Sequence, residues 1–204
     1  MRTVRPRMMR ADRRAQLLDT AEEVFVEHGV GPASMDDVAM RAGVTKPVLY
    51  DHFGSKDGLL AAVLGRLGDR MLAETAGAVA KASSAEQALS QGLTAYFRFV
   101  DRHEGAWLLL LREIAPGSKA AAEADRVRSA QVAAIAALVE LHLVQPDPVR
   151  ARVYAHVVSG AAERLAAVRL TEKKLSAAKA SALLMDVLWQ GFAQLQAGSG
   201  KRDA

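Results

Sequence analysis

The chain contains no cysteine and few aromatic residues. None of its 204 residues is cysteine, and 5% are aromatic. The lack of cysteine excludes disulfides, thiolate nucleophiles and thiolate metal ligands, and it fits a cytoplasmic protein. Because 50% of the residues are nevertheless hydrophobic, the core is expected to consist mainly of leucine, alanine and valine. This composition favours helices.

Long apolar runs are also missing from the sequence. A membrane-spanning helix needs about 20 predominantly apolar residues, and the apolar stretches here are shorter and interrupted by polar residues. The basic N-terminal segment "MRTVRPRMMR" is not followed by the apolar core of a signal peptide. We therefore expect no membrane partner and a cytoplasmic location.

Positive charge is concentrated near the N-terminus. The whole chain has a formal net charge of +4 and a pI of about 9.6, which is a mild indication of an anionic partner. Residues 1–9 are predicted to form a basic flexible arm, either solvated or in contact with phosphates or a minor groove. The arginines of residues 2–14, which are accompanied by the single acid Asp12, are Arg2, Arg5, Arg7, Arg10, Arg13 and Arg14.

The spacing of apolar residues predicts an all-α fold. In a first helix over residues 11–28, Leu17, Ala21, Val24 and Phe25 share one face. No segment alternates apolar and polar residues as a strand would, and no internal repeat is found. The prediction is about nine helices, arranged as a small N-terminal three-helix unit and a larger helical bundle. The later helices are expected at residues 34–42, 45–53, 55–82, 85–101, 105–114, 119–143, 148–168 and 175–196.

Two short predicted helices lie on either side of a glycine. Ser34, followed three residues later by Asp37, resembles a capping box and begins the first of them. Gly43 provides the positive φ with which helices commonly end. Thr45 can cap the second helix, whose first turn tolerates Pro47. This arrangement is typical of a helix-turn-helix, in which the second helix enters the major groove of DNA.

The same segment resembles the signature of the TetR/AcrR family of bacterial transcription regulators. The stretch "MDDVAMRAGVTKPVLYDHFGSKDGLL" follows the family pattern in register, and the resemblance covers roughly residues 10–64. Thr45 replaces the usual serine and Pro47 replaces a common glycine. The matching positions are Val38-Ala39, Ala42-Gly43-Val44, Leu49-Tyr50, His52-Phe53, Ser55-Lys56 and Leu59-Leu60.

DNA contacts are expected along the second helix and at the start of the next one. Thr45 and Lys46 stand at a helix N-terminus, where orphan amides and the dipole favour an anion, although Thr45 can also serve as a simple cap. A lysine suits guanine and a valine methyl suits thymine. Asp51 either accepts from cytosine or faces away from the DNA. The residues predicted to contact DNA are Arg41, Thr45, Lys46, Pro47, Val48, Tyr50, His52 and Lys56.

Other roles remain open for several of these residues. Tyr50 and His52 either donate to phosphates or pack against the protein, and Arg41 either reaches the DNA backbone or lies on the surface. Leu49 and Phe53 are predicted to be core. The first 57 residues contain about as many acids as bases, so DNA binding cannot depend on overall charge.

The resemblance implies a ligand-responsive regulator that binds a palindromic operator as a homodimer. Under this hypothesis residues 10–54 form the DNA-binding domain, residues 55–196 the ligand-binding and dimerisation domain, and residues 197–204 a disordered tail. Repression released by a small, lipophilic effector is the expected behaviour. The alternatives are an activator, or a helical DNA-binding module without ligand-gated regulation.

The last two helices are expected to form the dimer surface, and the middle helices a ligand pocket. Both sets are apolar, and each of their members can equally well be ordinary core. The predicted pocket residues are Tyr96, Phe97, Val100, His103, Trp107, Leu108, Leu111, Arg112, Val132, Ile135 and Tyr154. The predicted dimer residues are Val157, Val158, Gly160, Ala161, Leu165, Leu184, Val187, Leu188, Trp189 and Phe192.

The sequence offers no convincing enzyme motif. "AGSGKR" lacks the first glycine and the preceding strand of a phosphate loop, and Ser159-Gly160 lacks the preceding glycine of a nucleophile elbow. The five histidines include no HExxH pattern. We therefore expect neither enzymatic activity, nor a metal site, nor a cofactor.

Overall fold

The computed structural model describes residues 10–111, 114–141, 147–172 and 175–198, without the side chains of residues 110–111 and 190–198. Within these residues the chain forms nine helices and no strand, which confirms the predicted all-α fold. The helices are α1 (Arg10–His28), α2 (Met35–Ala42), α3 (Lys46–Phe53), α4 (Lys56–Val79), α5 (Ala85–Arg102), α6 (Glu104–Leu111), α7 (Lys119–Glu140), α8 (Pro148–Glu172) and α9 (Ala177–Gly198).

Most helices begin and end within a few residues of the predicted positions. The differences lie mainly at helix ends that have no glycine or proline to fix them. Helix α4 ends at Val79 rather than near residue 82, and α8 continues to Glu172 instead of ending at residue 168. The predicted basic arm at residues 1–9 lies outside the described part of the chain, as do residues 199–204 of the predicted tail.

The described helices divide into two compact units. The first extends to Gly68 and includes residues 105–125, whereas the second comprises residues 69–104 and those from Arg126 onward. These units do not follow the expected boundary between residues 54 and 55, and the assignment of functional domains on either side of that boundary stays a prediction.

The first half of α4 is attached to other helices of the first unit. Arg66 of α4 pairs with Asp19 at 2.7 Å and with Glu22 at 3.1 Å, both on α1. The carboxylate of Asp57 accepts hydrogen bonds from the backbone amides that begin α7, including that of Ala120 at 3.1 Å. These contacts explain why the first unit continues past residue 54.

The core of the first unit is formed mainly by α1, α2, α3 and the start of α4. The amphipathic spacing of α1 places its apolar face inward, so that Leu17, Val24 and Phe25 are fully buried. Leu49 of α3 and Leu59 of α4 are buried in the same cluster. The short helices α2 and α3 thereby share one core with the longer helices α1 and α4.

The second unit is organised around α5, which packs mainly against α9 and α8. One buried ion pair connects these elements. The guanidinium of Arg169 on α8 donates to both carboxylate oxygens of Asp101 on α5, at 2.8 and 2.9 Å, and to the carbonyl of Leu175 at 2.9 Å. It also lies over the ring of Phe97, 5.1 Å from the centroid. Because the Arg169 side chain is only 4% exposed, this pair fixes the end of α8 on α5.

Candidate DNA interface and ligand cavity

Helix α2 begins at the predicted capping box. The hydroxyl of Ser34 accepts from the amide of Asp37 at 3.2 Å, and the Asp37 carboxylate accepts from the Ser34 amide at 2.9 Å and hydroxyl at 2.7 Å. These hydrogen bonds, above all the one from the hydroxyl, lower the pKa of Asp37. The structure therefore confirms the box, in which the shorter acid replaces the usual glutamate.

The turn between α2 and α3 requires a glycine. Gly43 has φ 65° and ψ 36°, a left-handed conformation that L side chains adopt at a cost. The amides of Gly43 and Val44 donate to the last carbonyls of α2, those of Met40 at 3.2 Å and Ala39 at 3.0 Å. These hydrogen bonds close the turn, and α3 begins two residues after Val44.

Helix α3 begins one residue after Thr45. Thr45 occupies the cap position in an extended conformation, but its side chain makes no capping hydrogen bond. The expected hydroxyl cap is thus wrong. One physical reason is visible: Lys46 and Pro47 fill the first positions of α3, and proline has no amide for a cap to bind.

One side of α3 faces the core and the other faces solvent. Leu49 and Phe53 are 0% and 8% exposed, which confirms them as core. Val48 is half-buried and packs against the same core. The solvent-facing side carries Tyr50, 44% exposed, together with the exposed Lys46, Pro47 and Asp51 and the half-buried His52.

Two cations of this surface are paired with carboxylates from neighbouring helices. Lys46 Nζ lies 2.9 Å from Asp36 Oδ2 of α2, and Arg41 Nη1 lies 2.5 Å from Glu27 Oε2 of α1. The Asp36 carboxylate raises the pKa of Lys46 and the Glu27 carboxylate raises the pKa of Arg41, while the Arg41 guanidinium lowers the pKa of Glu27. Both cations are therefore charged at neutral pH.

Two further contacts involve the edges of the helix-turn-helix. Lys56 Nζ donates to the carbonyl of Gly31, in the loop between α1 and α2, at 2.8 Å. Arg10 lies 3.7 Å from Asp51 on the exposed side of α3. Asp51 thus lies at the surface close to a cation. The sequence alone leaves the direction of its side chain open.

The second unit contains an apolar cavity of about 470 Å³. Among the described residues that line it none is charged, and the polar side chains are Thr75, Tyr96 and Gln131. The Thr75 hydroxyl is bonded to backbone carbonyls of its own helix. The described residues that line it are Leu72, Thr75, Ala76, Val79, Ala80, Ala88, Leu89, Gly92, Leu93, Tyr96, Ala130, Gln131, Ala134, Ile135, Leu138, Val158 and Ala162.

Two of the residues predicted for the pocket, Tyr96 and Ile135, line this cavity. Among those that do not line it, Phe97, Val100 and Val132 are buried elsewhere in the second unit. The His103 ring lies 4.4 Å from the Phe99 ring, centroid to centroid, and Tyr154 is half-buried. Trp107 and Leu108 belong to the first unit. The side chains of Leu111 and Arg112 lie outside the described residues.

Sequence reasoning missed most of the cavity wall because it looked for bulky side chains. Small residues form much of this wall, including Ala76, Ala88, Gly92 and Ala130. Their helical spacing on α4, α5 and α7 was the available signal. Val158, predicted for the dimer surface, is 1% exposed and lines the cavity instead.

Helices α8 and α9 expose a set of large apolar side chains. We call Val149, Val153, Val157, Leu183 and Val187 the α8/α9 apolar surface; they are 75%, 54%, 54%, 48% and 72% exposed. The remaining predicted dimer residues are placed as follows: Gly160 is exposed, Ala161, Leu165 and Trp189 are half-buried, Leu184 and Leu188 are buried, and the side chain of Phe192 is not described.

The described residues contain neither a candidate membrane span nor a candidate metal site. Their helices are too short or too polar to traverse a lipid bilayer. In the same part of the chain, no three histidine, aspartate or glutamate side chains are grouped so that they could hold a metal ion.

Known proteins resemble the chain in both sequence and structure. The family described as "Bacterial regulatory proteins, tetR family" matches residues 17–63, and "Tetracyclin repressor-like, C-terminal domain" matches residues 85–191. The transcriptional activator FasR of Mycolicibacterium smegmatis is 39% identical over 63% of this chain and 53% of its own length. The repressor Rv3405c of Mycobacterium tuberculosis is 39% identical over 28% of this chain and 30% of its own length. The chain thus matches about half or less of these relatives' lengths.

Solved structures extend the likeness to nearly the whole chain. A TetR-like regulator from Rhodococcus sp. RHA1 is 30% identical, with a TM-score of 0.72 over 92% of this chain and 99% of the other. FadR from Bacillus subtilis, solved in complex with stearoyl-CoA, is 14% identical with a TM-score of 0.72 over 85% of this chain and 96% of its own, which shows the fold alone. The chain belongs to the TetR family of bacterial regulatory proteins.

Proposed function

We propose that this regulator binds a palindromic operator as a homodimer and changes its DNA affinity when an apolar small molecule occupies the cavity of the second unit. Repression relieved by the ligand is the proposed direction. The observation that carries this proposal is the cavity of about 470 Å³, whose described lining residues are all uncharged, in a chain whose other unit presents an exposed helix-turn-helix.

DNA contact is proposed for the exposed side of α3 and the residues that flank it. Lys46, Pro47 and Tyr50 are solvent-exposed on this helix, and the Thr45 hydroxyl makes no capping bond. Arg41, His52 and Lys56 would contact the DNA backbone. The partial burial of Val48 favours a smaller role in base reading than its position on α3 first indicated.

Dimerisation is proposed for the α8/α9 apolar surface. Five large apolar side chains on two helices exceed the scattered exposure that is normal for a monomer. Gly160 is exposed on α8 and would permit close approach of a second copy. A two-fold dimer would place two α3 helices on half-sites about one helical turn apart.

The dimer can be tested by sedimentation of Val157→Glu. Glutamate in an apolar interface leaves an unpaired buried charge, so this variant is expected to sediment as a monomer at micromolar concentration, whereas the wild type is a dimer. Leu141→Glu is the matched control, because Leu141 is 81% exposed outside the α8/α9 apolar surface. A monomeric wild type would contradict the proposal.

The effector is proposed to be a long acyl chain or a similarly lipophilic molecule. The support is the cavity lining, whose described residues offer apolar contact and three polar side chains. Helix α4 supplies Leu72, Thr75, Ala76 and Val79 to the wall and also begins in the DNA-binding unit. A ligand that fits one arrangement of α4 better would alter DNA affinity, with a typical coupling of about 1–3 kcal/mol.

Palmitoyl-CoA is a suitable probe for this part of the proposal. It is added to the protein bound to a duplex selected from a random pool, and dissociation is followed by fluorescence anisotropy. Ala130→Leu should abolish the response because Ala130 lines the cavity, whereas Ala133→Leu on the same helix should not. If DNA affinity is unchanged at saturating probe, or if both variants respond alike, acyl-chain regulation through this cavity is wrong.

Activation is the second candidate function. FasR, the relative with the longer match, is named an activator. A reporter gene placed behind the selected operator separates the two: expression falls with a repressor and rises with an activator.

A further inference from the structure

The described part of the helix-turn-helix segment has an excess of negative charge. Protein–DNA affinity depends strongly on Lys and Arg that replace counterions on the phosphates. Residues 10–57 nevertheless hold nine acids against six lysines and arginines. The acids are Asp12, Asp19, Glu22, Glu23, Glu27, Asp36, Asp37, Asp51 and Asp57, and the bases are Arg10, Arg13, Arg14, Arg41, Lys46 and Lys56.

Some of these acids accept the hydrogen bonds that begin a helix, and others are paired with cations. Asp37 closes the capping box, and Asp57 caps the N-terminus of α7. Asp36 and Glu27 have no such role among the hydrogen bonds described above. Their carboxylates contact the two cations that flank the turn, Lys46 and Arg41, at 2.9 and 2.5 Å.

Both pairs can open when DNA arrives. The Lys46 and Asp36 side chains are 48% and 66% exposed, and the Arg41 and Glu27 side chains are 36% and 56% exposed. Exposed ion pairs contribute little to stability and are weakened by salt. A carboxylate at this distance also occupies the position that a phosphate oxygen would take on the same ammonium or guanidinium group.

We propose that Asp36 and Glu27 are intramolecular competitors of the DNA phosphates for Lys46 and Arg41, and that they weaken binding to DNA of arbitrary sequence. Phosphate must displace a carboxylate before either cation contributes to binding. Operator contacts elsewhere on α3 then supply the affinity that overall charge does not. The two acids are positioning residues that act through the cations.

The inference rests on DNA contact by Lys46 and Arg41, which is part of the proposed function, and it can fail separately. The probe is a mixed-sequence duplex of about 30 base pairs, or about three helical turns, with affinity measured by anisotropy over a series of salt concentrations. Asp36→Asn and Glu27→Gln should each bind about two- to five-fold more tightly than the wild type. The slope of log affinity against log salt should steepen by at most about one for each freed cation, because the wild-type pair is closed for part of the time.

Asp69→Asn controls for the change in overall charge. Asp69 is 65% exposed and pairs with Arg126 at 2.7 Å in the second unit, so this variant alters net charge as Asp36→Asn does without freeing a cation of the helix-turn-helix. It should change affinity by less than two-fold. Asp36→Glu keeps the competing charge and should remain close to the wild type. Thermal melting confirms that each variant is folded.

A double-mutant cycle separates competition from simple repulsion of phosphate. In a Lys46→Gln background, Asp36→Asn should give no more than the Asp69→Asn effect, because the cation that it would free is gone. An undiminished gain in that background, weaker binding by Asp36→Asn, or equal affinities throughout would each overturn the proposal. Failure of wild type and variants alike to bind at low salt would overturn it together with DNA contact by α3, whereas the dimer and ligand experiments leave it unaffected.

Discussion

The two compact units differ in how one part of each is packed. In the first unit large side chains such as Phe25, Leu17 and Leu49 are completely buried. In the second unit many buried positions of α8 are alanines, for example Ala155 and Ala166, and α5, α7 and α8 border a cavity of about 470 Å³. A DNA reader has to keep α3 in a fixed position, while a ligand receptor has to leave room. The difference in packing is the one that the proposed function requires of the two units.

The largest effect that separates the units is expected from truncating one leucine in each. Leu49→Ala in the first unit should reduce the free energy of unfolding by about 3–5 kcal/mol, because Leu49 is surrounded on all sides. Leu89→Ala in the second unit should cost about 2–3 kcal/mol, since Leu89 borders the existing cavity and has fewer partner atoms.

Urea unfolding followed by tryptophan fluorescence can measure both changes. Trp107 belongs to the first unit and Trp189 to the second, so variants that keep one tryptophan report on one unit each. If both substitutions lower the free energy of unfolding equally, the cavity wall is as tightly packed as the core of the first unit, and the proposed difference between the units is wrong.

Adding volume should give effects of opposite sign in the two units. Ala21 is 0% exposed in the first core, and Ala21→Leu should destabilise by about 1–3 kcal/mol through overpacking. Ala162 is 2% exposed and lines the cavity, so Ala162→Leu should stabilise by about 1 kcal/mol. Thermal melts of the two variants check the signs, and a destabilised Ala162→Leu would show that the cavity does not accept a side chain.

The two units also differ in how far the sequence predicted them. The helix-turn-helix depends on local signals. These are the capping pair of Ser34 and Asp37, Gly43 before α3, and the helical spacing of apolar residues that buries Leu49. Each acts within a few residues, so each could be recognised from the sequence. The side-chain cap at Thr45 was the exception, because a cap depends on which amides remain free.

The second unit depends on contacts between distant segments. Helical spacing predicted its helices, but the faces of α5 and α7 that border the cavity are determined by packing between helices. Bulky residues such as Phe97 and Trp107 were therefore assigned to a pocket that small residues, among them Ala76 and Gly92, help to form. Asp36 and Glu27, which pair with Lys46 and Arg41, each belong to a different helix from the cation they contact. The sequence of the cation's own helix therefore does not predict them.

The smallest expected difference concerns the N-terminal caps of one helix in each unit. Ser34 caps α2 and Ser84 caps α5, each through a hydroxyl that accepts an amide at 3.2 Å. Replacement of either serine by alanine should cost about 1 kcal/mol. The acceptor side chains differ, because the charged Asp37 accepts from the amide of Ser34 itself, whereas the neutral Gln87 accepts from the amide of the preceding residue, Ser83. Only the cap of α2 is therefore expected to depend on pH.

The direction of this pH dependence follows from the lowered pKa of Asp37, whose largest cause is the hydrogen bond from the Ser34 hydroxyl. A carboxyl with a lower pKa in the folded state stabilises above its unfolded value, ordinarily 3.8, and this contribution is lost as the pH falls through the folded-state pKa. In Ser34→Ala the pKa of Asp37 should rise toward 3.8, which carbon-detected NMR titration of the side chain can measure. In Ser84→Ala it should stay as in the wild type, and if it rises equally in both variants the carboxyl responds to overall stability rather than to its cap.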